Sequence, residues 1–123
     1  MRAHVWVVRA GSRREVESTI ALEESHLVVT AEDEGTTERI PLKRMTRARR
    51  VFGSPVLVID LAGEGLPSRL IVYFAPPPPL DAEGFRARRK ERRRNATYLG
   101  AASEETLAEI KAWVRAIRAA RTD

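Results

Sequence analysis

Seven positive side chains fall within nine residues: Arg86, Arg88, Arg89, Lys90, Arg92, Arg93 and Arg94. Like charges this dense repel one another unless anions compensate them. Phosphates or acidic lipids would do so, and release of their counterions would favour binding at low salt. Arginine predominates, and its planar fork matches phosphate oxygens better than an ammonium does. These seven residues are the candidate anion or partner site. The competing reading is a solvated basic loop that only aids solubility. Nucleic acid ranks below an anionic lipid surface, because no aromatic side chains interleave the arginines to stack on bases.

A second basic set comprises Lys43, Arg44, Arg47, Arg49 and Arg50. Strand alternation places Arg47 and Arg49 on one face and Arg44 and Arg50 on the other, unless a bulge intervenes. The five are therefore expected not to form one patch, and cross-strand pairing with Glu15, Glu17 or Glu38 is the favoured reading. Other chemistry is thinly represented. Glu32, Asp33 and Glu34 lack the spacing of a calcium loop and read as a solvated turn. His4 and His26 lie in separate segments with no further zinc ligands or triad partners nearby in sequence. The serines lack a nucleophile elbow, and Gly63 and Gly65 read as turn glycines rather than a phosphate loop. The expectation is no catalytic activity, no cofactor and no metal.

The elements that would position these groups follow from hydrophobic rhythm. Residues 15–22 alternate almost strictly, with Val16, Ser18, Ile20 and Leu22 on one side, as in a strand with one wet face. Glu23-Glu24-Ser25 turns the chain into His26–Thr30, and Glu32–Gly35 turns it again. Glu38–Leu42 follows, with Pro41 marking a strand end or a sheet edge. Met45–Phe52, Val56–Leu61 and Arg69–Phe74 continue the series, separated by Gly53-Ser54-Pro55 and Gly63–Pro67. With the N-terminal run His4–Arg9, about seven short strands result, with no helical period between them. Four prolines, Pro76–Pro79, then end the sheet and favour a stiff spacer. Asp81 could cap a helix reaching about Arg94, and Thr97-Tyr98-Leu99 forms a short apolar contact. The last helix is expected over 103–121, with Ser103 as its cap and Glu104 and Glu105 suited to its dipole. Leu107, Ile110, Trp113, Val114 and Ile117 form its apolar stripe.

Composition sets the outer bounds. A chain of 123 residues suits one domain. The net charge is +5, and its excess sits almost wholly in 76–102. There is no cysteine, hence no disulfide and no thiolate metal site. No apolar run approaches the roughly 18 residues of a transmembrane segment, and the short run after Met1 reads as a strand rather than a signal peptide. Abundant Arg and Ala fit a GC-rich bacterial genome, and a cytoplasmic location is expected.

The order of these segments resembles the pleckstrin-homology-like superfold, especially small bacterial PH-like and GRAM-like domains. The resemblance rests on Ala21-Leu22 followed by His26–Thr30, then Ile40-Pro41-Leu42, Met45 and Ala48, Val56–Ile59, Leu70–Phe74 and the helix bearing Trp113. It implies a mainly β fold: a bent antiparallel sheet or partly open barrel of about seven strands, capped by a C-terminal helix. A Pro- and Arg-rich insertion at 76–102 departs from that pattern. Arg9, Arg13 and Arg14 only faintly echo the inositol-phosphate motif of eukaryotic PH domains. Residues 1–123 are expected to form a single domain acting as a non-catalytic adaptor. It would engage an anionic surface or acidic partner through 86–94, peripherally at the inner membrane face if that surface is lipid. The alternative is a protein–protein or self-association module, a possible homo-oligomer, in which the basic segment is incidental.

Overall fold

The computed structural model describes residues 1–12, 14–51, 54–65, 67–76 and 104–122. The basic segment 86–94, the helix expected after Asp81, the contact at Thr97–Leu99 and the Ser103 cap lie outside them. The fold is mainly β, with a seven-stranded antiparallel sheet and one C-terminal helix. The strands are β1 (Arg2–Arg9), β2 (Val16–Leu22), β3 (His26–Ala31), β4 (Thr37–Pro41), β5 (Met45–Arg50), β6 (Val56–Leu61) and β7 (Arg69–Tyr73). The helix, α1, spans Glu104–Thr122. Leu42, expected to extend β4, instead opens a short 3-10 turn, Leu42–Arg44, that joins β4 to β5.

Neighbouring strands run β4-β3-β2-β1-β7-β6-β5. Two meanders, β1–β4 and β5–β7, are thus joined through the β1–β7 pair. Flat, such a sheet would be about 29 Å wide, at about 4.8 Å per strand spacing. A helix about 10 Å across covers only a third of that, and α1 packs mainly on β5, the 3-10 turn and β6. Yet inner side chains from all seven strands share one buried cluster with the helix, from Val5, Ile20, Leu27 and Ile40 to Leu57, Ile59 and Leu70. The sheet is therefore strongly bent. Its edge strands β4 and β5 are linked by a three-residue turn, which spans at most about 11 Å, but they do not pair, so no barrel closes.

The helix buries its apolar stripe as its periodicity requires. Ile110, Trp113, Val114 and Ile117 are buried, and the Trp113 ring lies 6.5 Å from that of Phe74. A second apolar cluster, Val8, Val56, Val58 and Tyr73, lies on the other sheet face with Trp6, Val51 and Ile71 against it.

The edge strand β5 is shaped by two features. Its register with β6 shifts between Met45 and Arg47. That bulge lets Met45 and Ala48, three residues apart, both point into the core, which strict alternation forbids. Toward β6, Val51 donates its N–H to the Val56 carbonyl, so two-residue alternation turns the Ala48 carbonyl to the open side. There the helix meets it: Arg118 Nη2 donates to the Ala48 oxygen at 3.2 Å, and Arg121 Nη2 to the Thr46 oxygen at 3.1 Å. These arginines blunt an edge that could otherwise recruit another strand. The double variant Arg118→Ala/Arg121→Ala is expected to lose about 1–2 kcal/mol of stability. It should also aggregate more readily on partial unfolding; denaturant titration and light scattering check both.

Candidate functional site

Alternation along a helix decides which basic residues meet the sheet. Lys111, Arg115 and Arg118 stand at i, i+4 and i+7, so they share one flank of α1 beside the buried stripe. Helix packing sets that flank along β5. Arg49 and Arg50, at the end of β5, rise to meet it. Together with Val114 they enclose a cleft of about 320 Å³, and all of its lining residues except Val114 are cationic. Val114, buried at 8% exposure, supplies an apolar wall.

The side chains of the cleft are partly organised before any ligand arrives. The Arg118 guanidinium is held by its bond to the Ala48 carbonyl, and Arg49 Nε is buried with no hydrogen-bond partner. Among the described residues, no carboxylate pairs with Arg49, Lys111, Arg115 or Arg118. The opposite half of the sheet is different, because most of its cations face carboxylates. Arg9 pairs with Glu38 at 2.7 Å, Arg14 with Asp33 at 2.6 Å, Arg39 with Glu23 at 2.6 Å and His4 with Glu17 at 2.8 Å. Arg69 likewise neutralises Asp60 at 2.8 Å. Arg49, Lys111, Arg115 and Arg118 thus stand together where α1 covers β5 with no carboxylate in the lining of their cleft.

One expectation for the second basic set is corrected. Glu17 and Glu38 do not pair with β5, because the strand order places β2 and β4 on the far side of β1 and their carboxylates are taken by His4 and Arg9. The five do not gather in one patch: Arg49 and Arg50, which leave opposite faces of β5, line the cleft, whereas Lys43 borders a different cavity. An edge strand lets Arg49 and Arg50 share the cleft, since long side chains from either face can reach around the open side.

The remaining chemistry-bearing residues are held locally. Arg14 engages Asp33 and also lies 3.7 Å from Glu34, while Glu32 accepts a hydrogen bond from the Thr19 hydroxyl at 2.7 Å. Ser25 Oγ and His26 Nδ1 are 2.8 Å apart on an exposed turn, with no carboxylate among the described residues holding the ring. This pair borders a larger cavity of about 650 Å³ where the 3-10 turn meets the end of α1, with Glu24, Lys43 and Arg121 of mixed charge around it. Among the described residues no group of three or more His, Asp or Glu side chains could hold a metal ion. Nor is any described helix long and apolar enough to cross a membrane.

No protein-family model matches the chain, and no curated protein matches it in sequence.

Lys111, Arg115 and Arg118 stand at helical spacing in the sequence, and Arg49 and Arg50 belong to the second basic set. Sequence reasoning missed only that the two sets meet, because nothing local places β5 beneath the helix.

Proposed function

We propose that this chain is a non-catalytic binding module of PH-like type that docks on an anionic surface through the face built by β5 and α1. The observation that carries the reading is the cleft itself: five cationic side chains from two elements, with no carboxylate in its lining. Holding Arg49, Lys111, Arg115 and Arg118 together costs Coulomb repulsion that a bound anion relieves. The resemblance to PH-like domains is supported by the number of strands, their two-meander order and the closing helix. The basic segment 86–94 would add its own attraction to an anionic surface, because each basic side chain near such a surface contributes about 1 kcal/mol.

The test is co-sedimentation of the intact chain with neutral and anionic vesicles across a salt series. Binding to anionic vesicles alone, weakening steeply from 50 to 300 mM salt, is the expected result. Salt-resistant binding, or none to either vesicle, would reject electrostatic docking and point to an apolar protein interface.

A further inference from the structure

We propose that β4 is a pairing edge at which two copies of this chain join their sheets, antiparallel and in a register centred on Glu38. This pairing is independent of anion docking at the other edge of the sheet.

An open sheet edge recruits other strands unless it is defended. The two edges of this sheet differ in that respect. On β5 a bulge interrupts the register, and Arg118 and Arg121 occupy the Ala48 and Thr46 carbonyls. On β4 the register with β3 runs unbroken from Thr37 to Pro41. Bonds at its two ends fix which way its backbone points. Ala31 donates its N–H to the Thr36 carbonyl at 2.9 Å, and Leu42 donates to the Ser25 carbonyl at 3.0 Å. Two-residue alternation between them turns Thr36, Glu38, Ile40 and Leu42 toward β3. Thr37 and Arg39 therefore present their N–H and C=O groups to the open side, where no described backbone group bonds them. Both side chains are exposed.

Unpaired charge is another usual defence of an edge, and here it is neutralised. Arg9 holds Glu38 at 2.7 Å, and Glu23 holds Arg39 at 2.6 Å. Pro41 lacks an N–H, but it stands at the strand end, where the chain turns beside Ala120 and Arg121 of α1.

A second copy fits this edge because the pattern is self-complementary. In an isologous two-fold contact, residue i meets j and j meets i. With the axis at Glu38, Thr37 of one copy faces Arg39 of the other. That pair exchanges both N–H···O=C bonds, and its symmetry mate does the same, so every outward group of the two residues is used. Pro41 falls outside the exchange, and its missing donor costs nothing. The two Glu38 carboxylates meet across the axis, each paired with its own Arg9, so the charges there sum to zero.

The test is sedimentation equilibrium of the full chain from about 10 µM to 1 mM, a range suited to an interface below the standard size. A reversible monomer–dimer equilibrium is expected. Arg39→Pro removes an outward N–H without touching a bond to β3. It should weaken the dimer at least about tenfold, because the symmetric contact loses that donor twice. Arg39→Ala loses the ion pair with Glu23 but keeps the N–H, and should dimerise within about threefold of the parent. Thr37→Pro provides the same readout as Arg39→Pro if the latter does not fold. Glu38→Cys tests the register, since the chain has no cysteine of its own. A non-hydrogen-bonded antiparallel pair holds its Cα atoms about 4.5 Å apart, within the span of a disulfide. Oxidation of that variant should give a covalent dimer, whereas Glu24→Cys, on the exposed turn before β3, should give none. A monomer at every concentration overturns the proposal, as does a dimer that both proline variants leave intact. Equal loss in Arg39→Ala and Arg39→Pro overturns backbone pairing and assigns the contact to the side chain. Failure of Glu38→Cys to cross-link overturns the register.

Discussion

Replacing Trp113 by alanine is expected to lower the unfolding free energy by about 3–5 kcal/mol. The ring is 1% exposed, is the largest fully buried side chain among the described residues, and packs near Phe74 where β7 ends. It is also the bulkiest group that α1 inserts into the bent sheet. Burial of a Trp removes about 200 Å² from water, and the bent sheet can collapse onto the void only by changing its curvature. A domain of this size has only about 5–15 kcal/mol in total, so the variant loses a large fraction of it. Trp113→Phe should retain most of the contact and cost about 1–2 kcal/mol. Urea unfolding followed by far-UV circular dichroism measures both. A loss under 1 kcal/mol for the alanine variant would mean that the helix is not what closes this core. The consequence reaches function, because the helix that Trp113 anchors carries Lys111, Arg115 and Arg118. A loosened α1 takes half of the cleft with it.

Much of this architecture is legible in residue order because local rules agree with the fold. Val16, Ser18, Ile20 and Leu22 alternate along β2, which buries Ser18 and Ile20 and half-buries Val16 and Leu22 on that side. Pro41, read as a strand end or edge marker, ends β4, which is an edge strand. The stripe Ile110, Trp113, Val114 and Ile117 is buried as its spacing requires. Where local rules compete, the reading fails by a definite mechanism. Met45 and Ala48 share a face only because of a bulge, and nothing in Met45-Thr46-Arg47 singles out the place of the extra residue.

The cleft is harder to read, because it is made by long-range placement. Arg49 and Lys111 are separated in sequence by β6, β7 and everything between β7 and α1. Only the strand order, which leaves β5 at the edge beneath the helix, brings them together. Local charge density instead drew attention to Arg86–Arg94, which lies outside the described residues. In the same way, Arg118 and Arg121 look like favourable charges near a helix C-terminus, yet each donates to a β5 carbonyl. Their role as an edge clasp depends on a partner some 70 residues earlier in the chain, which no window of periodicity contains.

Reversing two charges on the helix flank should separate the cleft from the basic segment. In Lys111→Glu/Arg115→Glu, two attractive charges near the surface become repulsive. Each basic side chain near an anionic leaflet is worth about 1 kcal/mol, so affinity for anionic vesicles should fall by about 2–4 kcal/mol, roughly 30- to 1000-fold. Both side chains are exposed, and no carboxylate among the described residues pairs with them, so stability should change by less than about 0.5 kcal/mol. Loss of binding therefore cannot be assigned to unfolding once the melting curve is matched. A companion variant carrying Gln at Arg86, Arg88, Arg89, Lys90, Arg92, Arg93 and Arg94 calibrates the other contribution. If the cleft positions the domain, the flank reversal abolishes binding, and the Gln variant lowers affinity while keeping the preference for the anionic vesicle. A flank reversal that changes affinity less than threefold would transfer the function to 86–94 and leave the cleft a solvated surface. The salt series sharpens the distinction, because its slope reports the number of cations engaged. The reversal should flatten that slope as well as lower the affinity, which a change in apolar contact would not do.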